Sequence, residues 1–287
     1  MLKVGIIGVD TSHAIAFTQL LNDSKQVQGA TVVSAYPGGS PDFPLSINRV
    51  PKNQEKLSKE FGVEIRDSIQ EVAEEADAIL LESSDGRVHL EQFRQLVNYR
   101  KPVFIDKPLA LSVPEAKEIY QLAETYQVPI MSCSTLRYSD CIHKVKESDE
   151  ELMGLDVFGP LEFQETQDGY FWYGIHLVEM MVSVMGTNVK SVSVQKTDEH
   201  EIVIFQYDDG RIGSIRANKR GSYEFGATGH FLDYSQFVTT KDDTNPFYAN
   251  LLNEVVSFFY AKQTPIAPSE TLQVIALIET INQAREG

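Results

Sequence analysis

The chain has 287 residues, 42% of them hydrophobic and 23% charged, and a formal net charge of −16. That length suits one large or two modest domains with a sizeable core, and the charge argues against nucleic acid or an anionic membrane surface as partner. Cys133 and Cys141 match no disulfide framework or zinc spacing, and there is neither a signal-type n- and h-region nor an apolar run of about 18 residues, so a cytoplasmic protein is expected.

Lys3-Val4-Gly5-Ile6-Ile7 is a short β-branched run of the kind that is buried on both faces of a sheet. Gly8-Val9-Asp10-Thr11-Ser12 breaks it. From His13 the apolar residues Ala14, Ile15, Phe17, Leu20 and Leu21 fall at helical spacing, with Thr11 or Ser12 placed to cap the helix. Strand, glycine turn and capped helix together form the opening of a dinucleotide-binding unit, whose helix N–H groups attract phosphate. The G-x-G-x-x-G pattern is only partly met. Asp10 stands at its second glycine and His13 at its third. A carboxylate there repels a diphosphate unless it turns away to cap the helix.

Ala30 to Ala35 reads as a second strand. It runs into Tyr36-Pro37-Gly38-Gly39-Ser40 without the acid that usually binds the adenosine ribose. Ser40 and the glycine backbone could accept a 2′-phosphate, Tyr36 could stack on adenine, or the subsite could be lost. Pro41 to Pro51 is expected to be a long functional loop. Helices are expected over Gln54–Phe61, ended by Gly62, and over Ile69–Glu75, capped by Ser68, with short strand Val63–Ile65 between them. Asp77–Glu82 is a buried strand leading to the small polar turn Ser83-Ser84-Asp85-Gly86. Helix His89–Asn98, strand Pro102–Ile105, helix Pro114–Tyr126 and strand Val128–Ser132 complete a β-α rhythm, which means a parallel sheet covered on both faces.

After about residue 135 the pattern changes. Strands are expected over Leu161–Thr166, Val189–Val194, Glu201–Tyr207, Arg211–Ala217 and His230–Thr239, with an Asp209-Gly210 hairpin turn. Helices are expected over Gly174–Met185, Phe247–Ala261 and Ser269–Ala284. This makes an α+β second domain with an open, mainly antiparallel sheet. The division placed here is 1–134 for a Rossmann-like domain and 135–287 for the second.

Three segments then line up. They are the turn at 8–13, Lys101-Pro102-Val103-Phe104-Ile105-Asp106-Lys107-Pro108-Leu109-Ala110, and Tyr173-Gly174-Ile175-His176-Leu177-Val178-Glu179. Together they resemble the glucose–fructose oxidoreductase, inositol dehydrogenase and rhizopine-catabolism (Gfo/Idh/MocA) family over essentially the whole chain. The second segment is similar to that family's G-K-x-V-x-x-E-K-P-x-A, with Asp106 for the glutamate. His89 sits like the histidine of its T-P-x-x-x-H segment, and Leu136-Arg137-Tyr138 looks like its N-x-R-F/Y. The third segment is similar to D-x-G-x-H-x-x-D, with Trp172 for the first aspartate and Glu179 for the last.

The resemblance implies NAD or NADP as cofactor and a sugar, cyclitol or related polyol as substrate, oxidised or reduced at a secondary alcohol. Lys107 would hydrogen-bond the alcohol oxygen, and His176 would take its proton. Gly8, Asp10, Thr11 and Ser12 would lie at the pyrophosphate, Tyr36 at the adenosine end, and Ser83, Ser84, His89 and Lys107 along the nicotinamide half. A homodimer or homotetramer through the open sheet is implied as well. Asp10, the missing ribose acid and Trp172 all fall on cofactor or catalytic positions. Two explanations stay open: a dehydrogenase with its own way of holding the cofactor, or a sugar- or nucleotide-binding regulatory protein that kept the fold. No metal site is expected from His13, His89, His176 and Asp10, because their spacing is not that of a ligand set. The run Tyr170-Phe171-Trp172-Tyr173 is either core or a platform for sugar faces.

Overall fold

The computed structural model describes residues 1–287. By its internal contacts the chain divides into a first unit, Met1–Cys133 with Leu251–Pro268, and a second unit, Ser134–Asn250 with Ser269–Gly287. No helix is long and apolar enough to cross a membrane.

The first unit is built on a parallel sheet of β1 (Leu2–Ile7), β2 (Ala30–Tyr36), β3 (Glu64–Ile65), β4 (Ala78–Leu81), β5 (Val103–Ile105) and β6 (Ile130–Met131) in the order β3-β2-β1-β4-β5-β6. The order reverses beside β1, where β1 pairs with β2 on one side and with β4 on the other. A crevice opens beyond the strand ends at such a reversal. Val4, Ile6, Ile7 and all of Ala78–Leu81 are buried, as expected of strands covered on both faces. Helix Ile69–Glu75 is capped by Ser68, whose side chain accepts from Glu71 N. Helix Val50–Phe61 ends at Gly62 in the left-handed region. Leu251–Pro268 returns to this unit. Tyr260 Oη donates to Gly29 O at 2.8 Å.

The segment expected to be a loop from Pro41 to Pro51 is instead partly helical, with a turn at Pro44–Ile47 and a helix from Val50. Both carry proline in their first turn, where its missing N–H costs nothing. The first helix, Ser12–Thr18, continues as a π-helical turn over Gln19–Asp23.

The second unit carries β7 (Leu152–Pro160), β8 (Val189–Lys196), β9 (His200–Tyr207), β10 (Ile212–Asn218), β11 (Gly226–Phe231) and β12 (Ser235–Thr239) in the order β12-β11-β7-β10-β9-β8. Only the β7–β10 pairing is parallel. Helix Gly174–Met185 packs its buried residues Leu177 and Met181 toward this sheet.

Sequence reading missed β7 and set a strand at Leu161–Thr166, which forms only one bridge, between Gln164 and Gln167. The reason lies in Gly154 and Gly159, which weaken any strand signal. In the sheet Gly154 is required, since a Cβ there would stand 2.7 Å from Ile212 O. The strand expected over His230–Thr239 is a hairpin of β11 and β12.

Candidate functional site

The glycine turn ends β1. Gly8 has φ of +88°, and a Cβ there would lie 2.4 Å from Ser83 Oγ, so only glycine fits this approach of the β1 and β4 turns. Thr11 caps the following helix, its Oγ1 accepting from His13 N at 3.2 Å.

Asp10 does turn away, but to a different place from the helix end. Its buried carboxylate accepts from Ser46 Oγ at 2.5 Å, Ser84 Oγ at 2.7 Å and Ser84 N at 3.3 Å. Ser46 Oγ in turn accepts from Ser40 N at 2.9 Å. Asn53 Nδ2 donates to Val9 O and Thr11 O. One anion thus ties the β1 turn, the 40–46 segment and the β4 turn together, its charge offset by three donors.

Beside this knot lies a cavity of about 250 Å³ lined by Asp10, Tyr36, Gly38–Ser40, Asp67 and Ser83, with Gln70, Gln92 and Gln95. It is somewhat smaller than the roughly 300–1,000 Å³ of typical ligand clefts. Ser83 Oγ is buried and has no hydrogen-bond partner. No lysine or arginine lines the cavity. Nearby Arg66 is engaged by Glu64 and Glu75, and Arg87 by Asp42 and Asp85. Ser40 N–H, which could have met a 2′-phosphate, is spent on Ser46.

At the ends of β1, β4 and β5 the fold assembles His13, Glu82, Asp106 and Lys107. Glu82 is fully buried and Asp106 nearly so. His13 Nδ1 donates to Asp106 Oδ2 at 2.8 Å and lies 3.8 Å from Glu82 Oε2. Burial and the neighbouring Asp106 push the Glu82 carboxyl well above its ordinary range, against the pull of Lys107. Burial would also raise Asp106, but His13 and then Lys107 overcome it and hold that carboxyl low. Burial pushes the Lys107 ammonium down, while Asp106 and Glu82 oppose the shift and Arg49 adds to it. An amine lowered in this way is a better proton donor than a free lysine. The Lys107–Pro108 peptide is cis.

His89 is fully buried. Its Nε2 faces Ser83 O at 2.8 Å and its Nδ1 faces Pro108 O at 2.9 Å. It therefore joins the turn after β4 to the one after β5, holding Ser83 and the Lys107 segment in register. Ser12 is exposed at the helix start, and Tyr36 is half-buried at the end of β2.

In the second unit, His176 is half-buried on helix Gly174–Met185. Its Nδ1 is hydrogen-bonded to Ser134 Oγ at 2.6 Å, and the Tyr173 and Phe225 rings meet it edge-on. Ser134 thus orients the imidazole where Trp172 stands in place of an aspartate. One turn on, buried Glu179 accepts from Arg137 Nη1 at 3.0 Å, and Arg137 also pairs with Glu270. Burial raises the Glu179 carboxyl and Arg137 opposes that. Tyr170, Phe171 and Trp172 are buried, so three of the four aromatic residues of that run are core.

Glu82, Ser46, Asn53 and Ser134 were not singled out from the sequence. Glu82 carried a signal: an acid closing a strand with no polar alternation. The others act through segments distant in the chain.

Residues 2–133 match the model of the oxidoreductase family with NAD-binding Rossmann fold, Gfo/Idh/MocA. No curated protein matches the chain. Among solved structures, an apo scyllo-inositol dehydrogenase from Lactobacillus casei is 15% identical with a TM-score of 0.81, covering 99% of this chain and 96% of that one. A dehydrogenase from Clostridium difficile is 16% identical with a TM-score of 0.79, covering 99% of both chains. A UDP-N-acetylglucosamine 3-dehydrogenase from Acidithiobacillus ferrooxidans is 11% identical with a TM-score of 0.79, covering 99% of this chain and 97% of that one. At these identities the likeness is one of fold. Over residues 2–133, the chain is similar to the Gfo/Idh/MocA oxidoreductase family and its NAD-binding Rossmann fold.

Proposed function

We propose that the protein is an NAD-dependent oxidoreductase acting on a secondary alcohol of a sugar, cyclitol or related polyol. The observation that carries the reading is Lys107, an amine at the end of β5 beside Asp106 and Glu82, whose pKa burial lowers against the opposing pull of those two carboxylates. Such a group can hydrogen-bond an alcohol oxygen and stabilise the alkoxide as hydride leaves for the nicotinamide. His176, held by Ser134, is assigned the alcohol proton. In this reading residues 1–134 bind the cofactor, and 135–287 bind substrate and a second copy through the open sheet. Gly8, Thr11 and Ser12 serve the pyrophosphate, and Asp10 acts as the anchor of that turn. Tyr36 takes the adenosine end. Ser83 and Ser84 serve the nicotinamide half, with His89 positioning Ser83.

NAD is preferred to NADP here because the cavity beside Tyr36 offers Asp67 and no unengaged cation. A 2′-phosphate would bring about two further negative charges. The test is turnover of NAD⁺ against a panel beginning with scyllo-inositol, myo-inositol and UDP-N-acetylglucosamine, followed by absorbance of the reduced cofactor. Lys107→Met lowers any turnover found by about 10²–10⁴-fold while NADH still binds. Tight NADH binding without turnover of any polyol would count against Lys107 and His176.

The Asp10 knot favours a second reading, a nucleotide- or sugar-binding regulatory protein. Asp10 places a buried carboxylate in the turn that meets a diphosphate in this fold. Absence of cofactor binding would support it.

A further inference from the structure

We propose that His13, Glu82 and Asp106 form a binding site for one divalent transition-metal cation. The three residues come from three different elements, namely the start of the first helix and the ends of β4 and β5. Their ligand atoms, one imidazole nitrogen and two carboxylate oxygens, all lie within 4.8 Å of one another. Nitrogen and oxygen ligands at about 2.0–2.2 Å from a metal stand about 3–4.3 Å apart. The separations, 2.8 Å from His13 Nδ1 to Asp106 and 3.8 Å to Glu82, already approach that spacing, so an ion needs only small side-chain movements. The imidazole is also held in place: its ring stacks on Phe17 at 5.3 Å between centroids.

A cluster of acids alone would not make a site. The independent observation is that Glu82, fully buried, has no hydrogen-bond partner on either carboxylate oxygen, and Asp106 Oδ1 has none. Three buried acceptor atoms thus lack donors at one point. Lys107 is the cation beside them, yet the three oxygens accept no hydrogen bond, and a buried carboxylate without a donor is disfavoured. A proton on Glu82 would neutralise it but would leave both oxygens without an acceptor or donor on the protein. A divalent cation answers all three atoms at once. The ligand set of one imidazole and two carboxylates suits Zn²⁺, Mn²⁺, Fe²⁺ or Co²⁺ rather than a soft cation. Binding takes the proton from His13 Nδ1, which Asp106 now accepts.

The test uses the full chain, stripped with a chelator and dialysed into metal-free buffer. Zn²⁺, Mn²⁺ and Co²⁺ are each titrated by calorimetry, with ion content measured after gel filtration and the visible spectrum recorded for Co²⁺. The expected result is about one ion per chain, a rise in Tm on loading, and d–d bands of nitrogen–oxygen ligation. Glu82→Gln and His13→Gln each weaken binding by more than the roughly 10–100-fold that loss of a supporting partner costs. Neither variant binds Co²⁺ with the native spectrum. His230→Gln, in the exposed His230–Asp156 pair of the second unit, leaves the stoichiometry unchanged. The proposal is overturned if no ion is retained. It is equally overturned if Glu82→Gln folds and binds metal as the parent does. Because the readouts are ion content and spectrum, failure of the polyol panel leaves this result standing, and the reverse also holds.

Discussion

Asp10 shows how a residue that breaks a motif can still be compatible with its fold. A glycine at that position leaves room; here a carboxylate takes the room and organises it, with Ser46 and Ser84 as its donors. Asp10→Ala leaves two hydroxyls and the Ser84 N–H without their acceptor. It should lower stability to urea by about 2–4 kcal/mol. An Asp10→Ala protein as stable as the parent would show that the knot is not needed to hold the turn. The sequence offered the helix end as the place for a turned-away Asp10, but its partners lie 36 and 74 residues distant in the chain, and no local pattern reports them. Glu82 showed in the sequence only as an acid closing a buried strand. Only the adjacency of β1, β4 and β5 turns one strand-end acid into part of a cluster.

At the scale of elements, helix Asp140–Lys146 is joined to the 240–245 segment by two aspartates. Asp140 accepts from Thr244 N, Thr244 Oγ1, Asn245 N and Asn250 Nδ2, and the Thr244 hydroxyl first among them holds its carboxyl well below the usual range. Asp243 accepts from Cys141 N at 2.8 Å. Burial pushes the Asp243 carboxyl up to about 6; the Cys141 N–H opposes this and the charge of Asp140 adds to it. The folded protein therefore binds this proton more tightly than the unfolded chain, where the group titrates near 3.8. Its contribution to stability is full below about 3.8 and is lost as pH rises through about 6. Asp243→Asn keeps an acceptor for Cys141 and removes the titration. The stability difference between variant and parent should shift by about 1–2 kcal/mol in the variant's favour from pH 4 to pH 7, a figure discounted for partial exposure. Urea unfolding at the two pH values measures it, and a constant difference would contradict this account of Asp243.

Element type was legible wherever one local signal decided it. Ser68, Gly62 and the Asp209-Gly210 turn all behave as their chemistry requires. It failed at β7, where glycines serve close approach between strands, and at Leu161–Thr166, where alternation without a ladder partner makes no strand.

At the scale of the molecule, a net charge of −16 sets up a field that opposes an anionic cofactor. Screening weakens that field, so raising ionic strength from about 20 mM to about 150 mM should strengthen NADH binding by a few-fold. Weakening with salt would instead mean that a local cationic site dominates recognition. The parallel sheet was readable, because hydrophobic periodicity reports burial; its reversal beside β1 was not, since periodicity does not report strand order. The return of Leu251–Pro268 to the first unit was not, since a helix's pattern shows that it has an apolar face and not what covers it.

The measurement that bears most directly on the central claim is calorimetric titration of the purified full chain with NADH and, separately, with NADPH. NADH should bind at micromolar concentration and NADPH at least about tenfold more weakly, because no lysine or arginine lines the cavity beside Tyr36 to meet a 2′-phosphate. Equal binding of both would contradict the cofactor preference alone. No binding of either would contradict the oxidoreductase reading itself, and would mean that Asp10 keeps the turn for the protein's own structure.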